Sequence, residues 1–139
     1  MGGLTNLVPA RFLCIIAHMV IAITILWSRD ANVRACLPSN FDQAAYNSAD
    51  SSLLAALILT LIFIVMELCG FLAGITMFVN AESLLSTCAH ASACIALSFF
   101  LFEVWPCYIY WFVFAGCSAI PAVVDTAVII SKLCFTRTS

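Results

Sequence analysis

The sequence predicts an all-α membrane protein: a four-helix transmembrane bundle with short connections and one larger outer loop. Three observations predict it. The 139-residue chain is 65% hydrophobic and only 9% charged, with a mean hydropathy of +1.15, so lipid rather than water is its solvent. Its apolar residues gather in four long runs, each able to cross a hydrocarbon core ~30 Å thick at about 1.5 Å per helical residue. The runs are read as helices because a lone strand facing lipid would leave its backbone groups unpaired.

The spans, taken in order within a single polytopic domain of residues 1–139, run over about 10–27, 52–79, 83–102 and 107–134. The first follows Arg11 and ends in Ile-Leu-Trp-Ser-Arg-Asp without a small-x-small cleavage site, which reads as a membrane span rather than a cleaved signal peptide. The polar stretch from Ser28 to Ser51 is the larger loop, with Asp50, Ser51 and Ser52 as candidate caps of the second span. Asn80, Ala81 and Glu82 read as a tight turn that makes an antiparallel hairpin of the second and third spans, with Asn80 capping the third. Pro106 suits the start of the fourth span, and Pro121 is expected to kink it.

Four spans place both termini on one side. Arg11, Lys132 and Arg137 lie on that side, against Arg29 and Arg34 on the other, which favours cytoplasmic termini and an outward loop. Trp27, Trp105, Tyr108, Tyr110 and Trp111 gather at the outer ends, as an interfacial aromatic belt.

Glu67 and Asp125 sit inside apolar runs, as do His18 and His90. A carboxylate in hydrocarbon costs at least a few kcal/mol unless it is paired or faces a polar cavity, at about +2.5–3.5 kcal/mol on insertion scales. All four side chains are therefore expected to point into the bundle. Arg11, Glu82 and Lys132 are read as marking the inner boundary, and His18, His90 and Asp125 each lie two turns in from it, a matched depth at which His90 and Asp125 would pair. Small residues follow the same faces: Gly70 and Gly74 with Glu67, the series Ser86, His90, Cys94 and Ser98, and Ser118 and Ala122 with Asp125. Such seams permit close helix approach. The cluster thus reads as hydrogen-bonded glue, with a proton- or ion-conducting subunit as the alternative.

The remaining composition excludes several classes. A net charge of −2 with five basic residues offers no basic patch for nucleic acid and no polybasic run for anionic lipid. Most of the eight cysteines lie in apolar runs and act as small hydrophobes. No Cys-x-x-Cys, nucleophile elbow, phosphate loop or HExxH occurs, so no catalytic residue, metal site or cofactor is expected. Cys36 and Cys107 are the two cysteines on the outer side. They are candidates for a disulfide joining the larger loop to the last hairpin, with free thiols as the open alternative.

Several segments resemble the transmembrane protein 107 family in collinear order: Leu7-Val-Pro-Ala-Arg-Phe-Leu, Trp27-Ser-Arg-Asp, Ala35-Cys-Leu-Pro, Glu67-Leu-Cys-Gly-Phe-Leu-Ala-Gly, Ala89-His-Ala-Ser-Ala, Ala96-Leu-Ser-Phe-Phe-Leu-Phe-Glu-Val-Trp, Tyr110-Trp-Phe-Val-Phe and Cys117-Ser-Ala-Ile-Pro-Ala-Val. The tail, Thr136-Arg-Thr-Ser, is less basic than the family pattern. The resemblance implies a non-enzymatic membrane component of the ciliary transition zone, in the Meckel-syndrome module. It implies a role in the gate that sets ciliary membrane composition, in cilium assembly and in Hedgehog signalling. The partners it implies are tectonics, the transmembrane proteins 216, 231 and 17, B9-domain proteins and membrane lipid.

Overall fold

A computed structural model describes residues 2–74 and 80–138. Among them there is no strand. The elements are α1 (Gly2–Ser28), α2 (Asp30–Ala35), α3 (Gln43–Leu72), α4 (Asn80–Phe102), α5 (Ile109–Phe114), a π-helical turn (Ala115–Ala119) and α6 (Ile120–Thr138). Four segments are long and apolar enough to span a membrane: Leu7–Ser28, Gln43–Leu72, Asn80–Phe102 and Ile109–Phe135. The last of these is α5, the π turn and α6 in continuity.

Helix ends moved most against expectation. The helix that carries the second span starts at Gln43, ahead of Ser52, because the Asp42 carboxylate accepts the Ala45 N–H at 2.8 Å and caps α3 a full two turns earlier. Asp50, Ser51 and Ser52 therefore lie inside the helix, and the larger loop shrinks to α2 and residues 36–42. At its other end α3 stops at Leu72, and Gly74 adopts φ +81° while its N–H bonds the Phe71 carbonyl at 3.1 Å. Gly74 is thus the left-handed residue that terminates a helix, a conformation that suits glycine. It is not part of a packing seam: a Cβ there would meet nothing within 4 Å. Asn80, Ala81 and Glu82 are helical, so they are not the expected turn; residues 75–79, the end of the expected second span, lie outside the described residues.

The turn after α4 closes the same way. The Trp105 N–H reaches back to the Phe100 carbonyl at 3.1 Å, with Val104 at φ 51° between them. Asn32 of α2 donates from one amide nitrogen to the carbonyls of Phe100 and Trp105, each at 2.9 Å, so α2 covers the end of α4. Just before Pro121, where a kink is expected, the chain forms the π turn. Proline lacks the N–H and clashes with the carbonyl four residues back, and a π turn absorbs that mismatch.

The helices pack in a ring. α1 lies along α4 over most of its length and against α3; α5–α6 closes the ring between α3 and α4. The consecutive helices α3 and α4, expected as an antiparallel hairpin, thus sit across the bundle from one another. At the loop end the core is apolar, built from Ala22, Ile25, Leu53, Leu57, Leu97 and Phe100. Tyr110 belongs here and not in the aromatic belt: it is buried, and its hydroxyl donates to Thr60 Oγ1 at 2.8 Å. Trp27 and Tyr108 remain exposed, while Trp111 donates to Ser52 Oγ at 3.0 Å.

Polar links fasten the loop end. Arg29 pairs with Asp50 at 2.7 Å and Arg34 with Asp30 at 2.9 Å. The Tyr46 hydroxyl, and after it Arg34, hold the Asp30 carboxyl below the usual carboxylate range. Cys36 and Cys107 are joined as a disulfide with a Cα–Cα distance of 5.7 Å, within the normal span for such a bond. The expected result for protein purified without reductant is a single cross-linked peptide pair, Cys36 with Cys107, in non-reducing mass spectrometry. Alkylatable thiols at both positions would contradict the linkage.

Candidate functional site

Towards the terminal end of the bundle the apolar core gives way to a closed polar cluster with Arg11 at its centre. Each span contributes. α1 supplies Arg11 and His18, seven residues apart and so two turns along one face. α3 supplies Glu67; α4 supplies Glu82, Ser83, Ser86 and His90; α6 supplies Asp125. The spacing of Glu82, Ser86 and His90 at four-residue intervals keeps all three on one stripe. None of the charged or imidazole members is more than 4% exposed.

Arg11 Nη2 donates to Glu67 Oε1 and to Asp125 Oδ1, both at 3.2 Å, and lies 3.6 Å from Glu82 Oε1. Its Nη1 donates to Ser83 Oγ at 3.3 Å. The guanidinium carbon stands 5.1 Å from the centre of the Phe71 ring, a cation–π distance. One side chain from α1 thereby reaches all three other spans.

Glu67 is the second hub. Besides Arg11, it accepts from Ser86 Oγ and from His90 Nε2, the latter at 2.7 Å. His90 Nδ1 lies 2.7 Å from His18 Nδ1. One set of tautomers gives each of these three ring nitrogens a single role: His18 Nδ1–H donates to His90 Nδ1, and His90 Nε2–H donates to Glu67. Both ring nitrogens of His90 are thus engaged, and the pairing of His90 with Asp125 expected from matched depth does not form. Asp125 answers Arg11 instead.

Gly70 explains how α6 comes close enough. A Cβ placed on it would stand 2.9 Å from Ile129 Cδ1 and 3.2 Å from Asp125 Oδ2, so the absence of a side chain lets Asp125 reach the cluster. The cysteine of the α4 series also faces a neighbour: Cys94 Sγ approaches the Cys14 carbonyl at 3.9 Å.

His18, Glu67, His90 and Asp125 are therefore gathered in one site, with Gly70 beside it and Gly74 outside it. Sequence reasoning missed Arg11 and Glu82, which it placed at the boundary; both are buried. Charge balance was the available signal. Three acidic residues fall in apolar helices that contain no other basic residue at comparable depth, and carboxylates in hydrocarbon demand a counter-ion. Lys132, by contrast, is exposed. The structural role of Arg11 also removes it from the tally of boundary charges, leaving Lys132 and Arg137 against Arg29 and Arg34.

The arrangement is suited to holding helices together. Its groups point at one another, and the partners come from different spans. Outside it, α3 and α6 leave an apolar groove of about 380 Å³ lined by Phe63, Met66, Ala122, Val123, Thr126 and Ile130, among others.

Comparison with known proteins places the chain. A family model for transmembrane protein 107, described as a transmembrane protein, matches residues 7–129. Transmembrane protein 107 of Rattus norvegicus is 53% identical over 131 residues, covering 94% of both chains. The protein of that name from Danio rerio is 50% identical over 95% of this chain and 98% of its own length, and that from Homo sapiens is 50% identical over 94% of each. No solved structure matches. With a family match over most of its length and relatives at half identity, the chain belongs to the transmembrane protein 107 family.

Proposed function

We propose that this chain is a non-enzymatic scaffold subunit of the ciliary transition zone. In this reading it is a membrane component of the gate that controls ciliary membrane composition, supporting cilium assembly and Hedgehog signalling. The observation that carries the reading is family membership over nearly the whole chain. The cluster supports a structural role: Arg11, His18, Glu67 and His90 are all at most 2% exposed, and their polar atoms are directed at one another rather than along a path. A proton- or ion-conducting subunit would need a continuous polar route, which this closed arrangement does not favour.

The mechanism would be lateral recognition. The polar cluster fixes the bundle, and the outer apolar faces, including the α3–α6 groove, meet partners or lipid. Tectonics, the transmembrane proteins 216, 231 and 17, and B9-domain proteins are the proposed partners. The termini are proposed to be cytoplasmic and the loop end outside. The Cys36–Cys107 disulfide supports this orientation, because such bonds persist in oxidising compartments.

Proximity labelling from a tagged chain in ciliated cells tests location and partners together. The expected result is enrichment of transition-zone membrane proteins; labelling confined to other membranes would overturn the proposal. Tags at each end and in residues 36–42, probed before and after permeabilisation, test the orientation. A loop tag reachable only from the cytosol would reverse it.

A further inference from the structure

The polar cluster holds one guanidinium against three carboxylates: Arg11 facing Glu67, Glu82 and Asp125. The 2.7 Å contact between the Nδ1 atoms of His18 and His90 needs one of them as acceptor, so at most one imidazole is charged. Among the described residues of the cluster at least one negative charge is then in excess, buried in a membrane-spanning bundle where such a charge is strongly disfavoured. The geometry singles out where the imbalance falls. Oxygens of all three carboxyl groups converge on a single atom, Arg11 Nη2. That nitrogen carries two hydrogens, and the two 3.2 Å hydrogen bonds to Glu67 and Asp125 use them. Glu82 stands farther off, at 3.6 Å, and neither of its oxygens receives a hydrogen bond although the residue is only 4% exposed. Asp125 Oδ1 and Glu82 Oε1 stand on that same nitrogen, so the two carboxyl groups are neighbours.

Glu67 does not share this predicament. It accepts from Arg11, Ser86 and His90, the surroundings of an ionised carboxylate. Two buried carboxyl groups standing side by side on one guanidinium nitrogen, as Glu82 and Asp125 do, can share a hydrogen between them. We propose that the cluster is a proton-binding site: Glu82 is held as a neutral carboxylic acid whose O–H donates to Asp125, clasping the start of α4 to α6. Around this pair stand Arg11 from α1 and, on the same guanidinium nitrogen, Glu67 from α3; the imidazoles of His18 and His90 lie beyond Glu67. Glu82 sits in the first turn of α4, next to the exposed residues Asn80 and Ala81, so the proton exchanges with the nearby aqueous side rather than passing through the bundle. Stripping it places two carboxylates together and loosens the α4–α6 contact. This inference does not rest on the proposed scaffold role.

The test is infrared difference spectroscopy of the full chain in phosphatidylcholine nanodiscs, titrated with base in light and heavy water. Wild-type protein is expected to show the carbonyl stretch of a protonated carboxylic acid at neutral pH, shifted by deuteration and lost as the pH rises. Glu82→Gln should remain helical and lack the band throughout. Isotopic labelling of the glutamate carboxyls in wild-type protein should move the band, and in Glu67→Gln and Glu103→Gln protein the labelled band should persist, which keeps the test decisive if Glu82→Gln does not fold. A wild-type protein without the band, a band that persists in folded Glu82→Gln, or a band unmoved by glutamate labelling would each overturn the proposal.

Discussion

Arg11→Met is expected to destabilise the purified bundle by about 3–5 kcal/mol, the usual cost of removing one partner from a buried ion pair. Methionine keeps most of the aliphatic volume, so the loss is electrostatic. Glu67 and Asp125 each lose a charge-assisted hydrogen bond, and Ser83 loses its donor. Arg11→Lys should recover only part of the stability. An ammonium is a point donor and cannot spread over Glu67, Asp125 and Ser83 as the planar guanidinium does. Thermal unfolding in mild detergent, followed by circular dichroism, measures both. An Arg11→Met protein as stable as wild type would show that the cluster contributes little.

Gly70→Leu is the second large effect. The missing Cβ of Gly70 would stand 2.9 Å from the tip of Ile129 and 3.2 Å from an oxygen of Asp125. Alanine asks that Ile129 swing aside and that Asp125 yield by a few tenths of an ångström, a cost of about 1 kcal/mol within the range for overpacking. Leucine must also displace Asp125 from Arg11, so overpacking and a broken ion pair add, for a total of about 3 kcal/mol or more. Gly74 makes the contrast. Nothing lies within 4 Å of its Cβ position, but φ is +81°, so Gly74→Ala costs about 1–2 kcal/mol through backbone strain alone. The expected order of unfolding temperatures is wild type, then Gly70→Ala and Gly74→Ala, then Gly70→Leu. Equal effects of leucine at positions 70 and 74 would mean that α3 and α6 do not meet at Gly70.

The four spans were legible because hydropathy over twenty residues is a strong signal, and the inward set of His18, Glu67, His90 and Asp125 was legible because lipid forbids their exposure. Helix ends were not. Asp42 and Asp50 are equally good caps by residue type, and only the tertiary contacts of the loop, such as Arg29 with Asp50, decide that Asp50 lies within α3. Gly74 misled for a related reason: Gly-x-x-x-Gly is the same string whether the second glycine packs a helix or ends one. Arg11 was misplaced because a lone arginine at the edge of an apolar run usually snorkels to the interface. Its burial follows from long-range pairing with residues 56 and 114 positions away in sequence, which no local pattern encodes. The ring order of the helices was hidden for the same reason, since a short α3–α4 connection fixes their direction but not their adjacency.

The central claim is that Arg11 binds the spans together through buried carboxylates. A double-mutant cycle of Arg11→Met with Asp125→Asn, read as unfolding free energy of the full chain in one detergent, tests it most directly. The two residues lie 114 positions apart in sequence and 3.2 Å apart in space, so the account predicts strong coupling. The double mutant should be more stable than the sum of the single effects allows, by about 1–3 kcal/mol. Effects that add to within about 0.5 kcal/mol would contradict the ion pair and the bundle architecture built on it.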